Sequence, residues 1–191
     1  MNGRSEPAAV FLYGADATRM KVFLVGPMGS GKSAVGRQLA RRLGLQFVDS
    51  DDEIVARTGV DVAYIFEKEG EAGFRAREAE VIDELTRRDG LVLATGGGAV
   101  LDPPTRARLR DRGRVVYLRT SVEQQLTRTR RSETRPLLNT PDPRGTLATL
   151  MARRAPLYAE VAELTVDTDG RKVRTVVDQI CRALGVAEDG A

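Results

Sequence analysis

From Lys21 onward, short apolar runs alternate with longer stretches in which apolar positions recur every three or four residues. The runs at Lys21–Val25, Gln46–Val48, Leu91–Ala94, Arg114–Leu118 and Leu164–Val166 are of strand length. Between them, helical spacing fits Lys32–Leu43, Asp51–Arg57, Val62–Lys68, Glu71–Arg88, Pro104–Arg110, Val122–Arg130, Thr146–Val161 and Lys172–Leu184. The last shows its period plainly, with Val173, Val176, Val177, Ile180 and Leu184 on one stripe. Strands that alternate with helices imply right-handed crossovers and a parallel sheet covered on both faces, an α/β fold whose ligands sit beyond the carboxyl ends of the strands. One domain is expected over residues 20–186, with 1–19 as a poorly ordered extension lacking any period and 187–191 as a tail.

Composition narrows the chemistry. A chain of 191 residues is about one domain on a prior of roughly 150 residues per domain. Its longest apolar runs, such as Val22-Phe23-Leu24-Val25, fall far short of the ~18 residues of a spanning helix, so no membrane association is expected. A lone Cys181 and an N-terminal segment without an apolar signal core point to the cytoplasm. There is no histidine at all, which removes Ser-His-Asp and Cys-His catalysis and imidazole metal ligation together. Basic residues number 30 against 27 acidic, and the two are interleaved; with 5% aromatic residues, neither an electrostatic stripe nor a stacking platform for nucleic acid is supplied. Carboxylates, lysine, arginine, hydroxyls, backbone groups or a borrowed metal must do the work.

Four constellations offer that chemistry. Gly26-Pro27-Met28-Gly29-Ser30-Gly31-Lys32-Ser33 follows a strand and opens a helix at Ala34, the context that G-x-x-x-x-G-K-[ST] requires. Its glycines let successive N–H groups converge on phosphate, Lys32 can reach the β- and γ-phosphates, and the Ser33 hydroxyl can ligate Mg²⁺. Asp49 and Asp51 lie two apart at the exit of the second strand, where extended chain would turn both toward the same crevice; one could serve a metal while the other accepts a proton. Gly96-Gly97-Gly98 follows a buried strand, and three glycines in a row suggest that something approaches the backbone closely. The arginines of Gly73-Phe74-Arg75, Thr134-Arg135-Pro136-Leu137-Leu138 and Arg154-Ala155-Pro156-Leu157-Tyr158 suit carboxylates and phosphates. Glu78 stands three positions beyond Arg75, and Arg135 lies in a Pro-containing stretch, 130–144, that suits a mobile lid.

In order and spacing, these motifs resemble shikimate kinase over Met20 to Leu184. The resemblance implies a P-loop fold related to nucleoside monophosphate kinases, with a five-stranded parallel sheet in the order 2-3-1-4-5. It implies transfer of the γ-phosphoryl of ATP, with Mg²⁺, to the 3-hydroxyl of shikimate in aromatic amino-acid biosynthesis. On this likeness, Gly29, Ser30, Gly31, Lys32, Ser33 and Ala34 hold the nucleotide phosphates, and Ser33 with Asp49 behind it holds the metal. Asp51 binds the shikimate hydroxyls and positions or deprotonates the attacking one, and Arg75 and Arg154 clamp the carboxylate beside Gly97 and Gly98. Lys32 and Arg135 neutralise the transferring group, Arg128 packs on the adenine, and Arg171 belongs to the loop beneath that base. A monomer is expected, and a related small-molecule kinase, such as one acting on gluconate, is the alternative.

Overall fold

The computed structural model describes residues 19–129 and 140–186. Five parallel strands form one sheet: β1 (Lys21–Val25), β2 (Gln46–Asp49), β3 (Leu91–Ala94), β4 (Arg114–Arg119) and β5 (Leu164–Asp167), in the spatial order 2-3-1-4-5. Seven helices lie among the described residues: α1 (Lys32–Leu43), α2 (Ser50–Thr58), α3 (Val62–Leu85), α4 (Pro103–Arg112), α5 (Val122–Thr129), α6 (Pro143–Val161) and α7 (Val173–Ala183). The expected elements are all present. Most boundaries differ by three residues or fewer, as helix and strand ends commonly do.

The continuous apolar runs of the central strands follow from burial on both faces. Along β1, Val22 and Leu24 join one core with Val35 and Leu39 of α1 and Val176, Val177 and Ile180 of α7. Phe23 and Val25 point the other way, into a core with Ile82 and Leu85 of α3, Leu109 of α4 and Tyr158 of α6. Period-two alternation thus sorts β1 to β4 between two apolar layers, while Leu164 and Val166 of β5 join only the first. The register aligns the carboxyl ends of β1, β2 and β3, with Leu24 opposite Ala94 and Ala94 opposite Asp49, so the loops that follow these strands gather at one edge.

The separate helices expected at Val62–Lys68 and Glu71–Arg88 correspond to the two halves of α3, which is broken at Gly70, whose φ of 72° and ψ of −177° only glycine adopts without strain. Two local departures from the sequence expectations remain. Helix α6 begins at Pro143, before the expected Thr146 and inside the expected lid. Pro143 occupies the first turn, where its missing N–H has no intrahelical acceptor to lose, and Asp142 caps Gly145 N–H at 2.9 Å. A short 3₁₀ turn at Ala99–Leu101, which the apolar spacing does not announce, leads from the glycine triplet into α4. The extension at 1–18, the tail at 187–191 and most of the lid, 130–139, lie outside the described residues.

Candidate active site

The loop between β1 and α1 is shaped by glycine. Gly26, Gly29 and Gly31 all have positive φ, and a Cβ on Gly26 would sit 2.6 Å from the Leu118 carbonyl oxygen. Gly31 caps α1, whose first-turn N–H groups, including those of Ser33 and Ala34, have no intrahelical acceptor and carry the positive end of the helix dipole. The Lys32 ammonium curls back over the loop and donates to the carbonyl oxygens of Gly26 and Pro27 at 2.8 Å each, with Ser30 Oγ at 3.4 Å. The result is a concave nest of donors with one cation across its mouth.

Behind the nest, Ser33 Oγ donates to Asp49 Oδ2 at 2.7 Å. Asp49 also caps α2, since its Oδ1 accepts the Asp51 N–H at 3.1 Å. The chain therefore turns helical at Ser50, one residue before the expected start at Asp51, so Asp51 stands in the first turn of the helix and the extended pairing with Asp49 does not hold. A capping carboxylate two residues upstream is what turns it. Asp52 and Glu53 serve the surface, paired with Arg37 at 3.6 Å and Arg57 at 2.7 Å. Two hard oxygen donors, a hydroxyl and a carboxylate in contact, fit a magnesium ion that arrives on a nucleotide's phosphates.

The second half of the site surrounds Gly96–Gly98. None of these three glycines has positive φ. They are small because side chains press on them: a Cβ on Gly96 would meet Glu78 Oε1 at 2.2 Å and Asp51 Oδ1 at 2.9 Å, and one on Gly98 would meet the Arg75 guanidinium at 2.2–2.4 Å. Gly97 is roomier. A Cβ there would lie 3.6 Å from each of Arg154 Nη1, Gly26 O and Met28 N, so Gly97 stands where an arginine and the phosphate loop meet. Arg75 Nη1 donates to Glu78 Oε2 at 2.5 Å, one turn along α3, which fixes the guanidinium's pose. Ser50 and Tyr158 hold the triplet itself: Ser50 Oγ accepts the Gly96 N–H at 2.9 Å, and the Tyr158 hydroxyl donates to Gly97 O at 2.5 Å.

This half carries unmet polar groups. Asp51 Oδ1, Glu78 Oε1 and Arg154 Nε are buried without a hydrogen-bond partner among the described residues, although Arg154 is only 5% exposed and Glu78 2%. Such groups cost free energy when left unpaired, which makes them candidates to receive a polar ligand. Burial pushes the Asp51 carboxyl up to about 6, with Asp49 adding to the rise and Lys32 and Arg75 opposing it. Burial likewise pushes Glu78 up to about 7, against the pull of Arg75. Neighbouring cations alone would keep Asp51 low; desolvation outweighs them, yet at neutral pH the group remains mostly ionised.

The two arginines expected beside the base both have protein partners. Arg128 ties α5 to the phosphate loop and to the loop after β5, donating to Gly29 O at 2.9 Å and to Thr168 O at 2.9 Å. Arg171, in the loop after β5, donates to Gln179 of α7 at 2.6 Å. Arg135 lies outside the described residues. Sequence reasoning gives no role to Ser50, or to Gln125, a buried residue of α5 whose backbone lies 3.2 Å from where a Gly29 Cβ would be. Only the fold brings either to a glycine loop. Tyr158 is visible in the sequence as part of a motif, but its hydrogen bond is not.

Known proteins resemble this chain along most of its length. The family profile for shikimate kinase matches residues 28–185. A shikimate kinase of Halorhodospira halophila is 59% identical over 167 residues, which cover 87% of this chain and 94% of that protein. One of Thioalkalivibrio sulfidiphilus is 60% identical over 161 residues, covering 84% and 85%. The shikimate kinase of Acinetobacter baumannii, solved in complex with shikimate, superposes with a TM-score of 0.86 at 50% identity, covering 88% of this chain and 94% of that one. With the match running from the phosphate loop through the glycine triplet to the final helix, the chain belongs to the shikimate kinase family.

Proposed function

We propose that this enzyme transfers the γ-phosphoryl group of ATP to the 3-hydroxyl of shikimate, a step of aromatic amino-acid biosynthesis. The observation that carries this reading is the set of unmet buried polar atoms around Gly96–Gly98: carboxylate oxygens of Asp51 and Glu78 beside a buried arginine. A compact molecule bearing both an acid and hydroxyls answers all of them. Arg75 and Arg154 take the shikimate carboxylate, Gly97 and Gly98 offer backbone contacts, and Asp51 receives the hydroxyls. Glu78 keeps Arg75 aimed.

The chemistry asks little covalent work of the protein. Asp51 Oδ1 accepts the proton of the attacking hydroxyl as its oxygen forms the new bond to phosphorus; the bond from phosphorus to the bridging oxygen breaks, and ADP leaves with that electron pair. Lys32 exchanges its contacts with Gly26 O and Pro27 O for oxygens of the transferring group, and Arg135 assists from the lid. The amides of Gly29 to Ala34 cradle the other phosphates, while Arg128 and Arg171 flank the base. Ser33 and Asp49 would hold Mg²⁺, which when bound offsets negative charge on the phosphate oxygens. We read the enzyme as a cytoplasmic monomer needing neither nucleic acid nor membrane. No helix among the described residues is long and apolar enough to cross a membrane.

A coupled ADP-release assay with shikimate, gluconate and nucleoside monophosphates as acceptors tests the reading. Turnover should depend on shikimate; faster turnover of gluconate or a nucleotide would overturn it.

A further inference from the structure

Tyr158 is fully buried, and its ring packs against that of Tyr117 with centroids 5.1 Å apart. It lies one helical turn beyond Arg154 on α6, so both side chains lie on the same face of the helix. The Tyr158 hydroxyl donates to Gly97 O, and Arg154 Nη1 lies near the same glycine, 3.6 Å from the position its Cβ would take. Gly97 also borders the phosphate loop, at Gly26 O and Met28 N. One short segment of backbone is thus pinned from α6 at the point where the carboxylate clamp and the phosphate nest converge.

We infer that Tyr158 is a positioning residue for phosphoryl transfer, its hydroxyl holding the Gly97 carbonyl so that the Gly97–Gly98 backbone and the Arg154 guanidinium present one fixed surface to the acceptor. It touches no reacting atom. Without the hydroxyl, Gly97 O would be left with no donor from α6 and the peptide could rotate. The acceptor would then meet a surface in several orientations, of which only some complement its carboxylate and hydroxyls, so it would bind more weakly. Burial pushes the Tyr158 hydroxyl well above the usual tyrosine range, so it stays a donor at every pH at which the enzyme would work. Tyr117 supplies an internal control: its ring belongs to the same stacked pair and is also buried, but its hydroxyl has no hydrogen-bond partner among the described residues.

The inference rests on shikimate being the acceptor, and Tyr158→Phe compared with Tyr117→Phe tests it in the full-length enzyme. Each substitution removes one buried oxygen from the same aromatic pair. Because it frees the Gly97 carbonyl, Tyr158→Phe should raise KM for shikimate by about tenfold. KM for ATP should stay within about twofold, because the phosphate nest keeps its own hydrogen bonds. Tyr117→Phe should leave both KM values within about twofold of wild type. A Tyr158→Phe enzyme whose shikimate KM is unchanged, or whose two KM values rise together, would overturn the role. So would a Tyr117→Phe enzyme with the same shikimate defect, because the effect would then be one of packing. Thermal midpoints of both variants, read alongside, show whether loss of fold accompanies the split in KM. Wild-type enzyme without shikimate-dependent ADP release would remove the functional reading itself, whereas an active wild type with an unaffected Tyr158→Phe variant removes only this inference.

Discussion

Two glycine-rich loops, Gly26–Gly31 and Gly96–Gly98, follow the neighbouring strands β1 and β3, and glycine serves a different purpose in each. In the first, three glycines adopt positive φ so that the backbone itself becomes the binding surface. In the second none does, and the glycines make room for Asp51, Arg75 and Glu78, side chains from two helices. The phosphate half is therefore local, built from eight consecutive residues whose lysine already has hydrogen-bond acceptors. The acceptor half is assembled from distant segments and keeps buried polar atoms unpaired. Phosphates are alike in every nucleotide and can be met by backbone alone, whereas a particular acceptor has to be recognised by particular side chains.

The comparison is broken most severely from the phosphate side. Lys32→Ala should lower kcat by on the order of 10³-fold or more, since charge neutralisation at the transferring group is the largest contribution the protein makes. Shikimate affinity, measured by calorimetry, should stay within a few-fold, because the acceptor half keeps all its side chains. A variant retaining half the wild-type kcat would remove Lys32 from the transfer step.

Asp51→Asn should cost roughly 10²-fold in turnover, the scale of a positioned acid–base group, and should weaken shikimate binding while ATP binding changes little. Loss of ATP affinity with shikimate affinity intact would reassign Asp51 to the metal. In the wild type, kcat/KM for shikimate should rise with pH through about 6 as the Asp51 carboxyl ionises, and Asp51→Asn should lose that limb. Arg75→Ala should act mainly on KM for shikimate, by about tenfold or somewhat more, with KM for ATP nearly unchanged. An equal rise in both would mean the halves are not separate.

The same contrast explains what the sequence discloses. The phosphate loop is legible because its function depends on residues adjacent in the chain, and Lys21–Val25 and Lys32–Leu43 flank it with unmistakable strand and helix periods. In the acceptor half, the Arg75 and Glu78 pair is legible from its three-residue spacing on one helix. The contacts of Ser50 with Gly96 and of Tyr158 with Gly97 span 46 and 61 residues, so no local pattern can announce them. The helix from Asp51 onward is legible, but the extended pairing of Asp49 with Asp51 fails because Asp49 turns its side chain back onto the Asp51 N–H, which spacing alone does not decide. Arg171 is reached from the sequence only by its position in a loop, yet its partner is Gln179, two turns along α7.

The gentlest probe of the acceptor half is proton linkage at Glu78. Its carboxyl has an ordinary value of 4.5 and stands at about 7 in the folded protein, raised by burial and by Asp51 and held back by Arg75 and Arg154. Between those values the folded state binds more protons than the unfolded one, so stability is greatest below 4.5 and falls as pH rises through about 7. From pH 6 to 8 the loss should be about 1 kcal/mol, equivalent to roughly 2–4 °C in thermal midpoint for a chain of this size. Glu78→Gln keeps the volume and an acceptor for Arg75 but cannot ionise, and it should not show this loss. The midpoint of Glu78→Gln relative to wild type should therefore climb between pH 6 and 8 in the absence of substrate, with the Asp51 contribution largely common to both proteins. A difference that stayed flat, or that fell with pH, would mean that Arg75 fully compensates the buried carboxylate. The acceptor half would then be as self-satisfied as the phosphate loop.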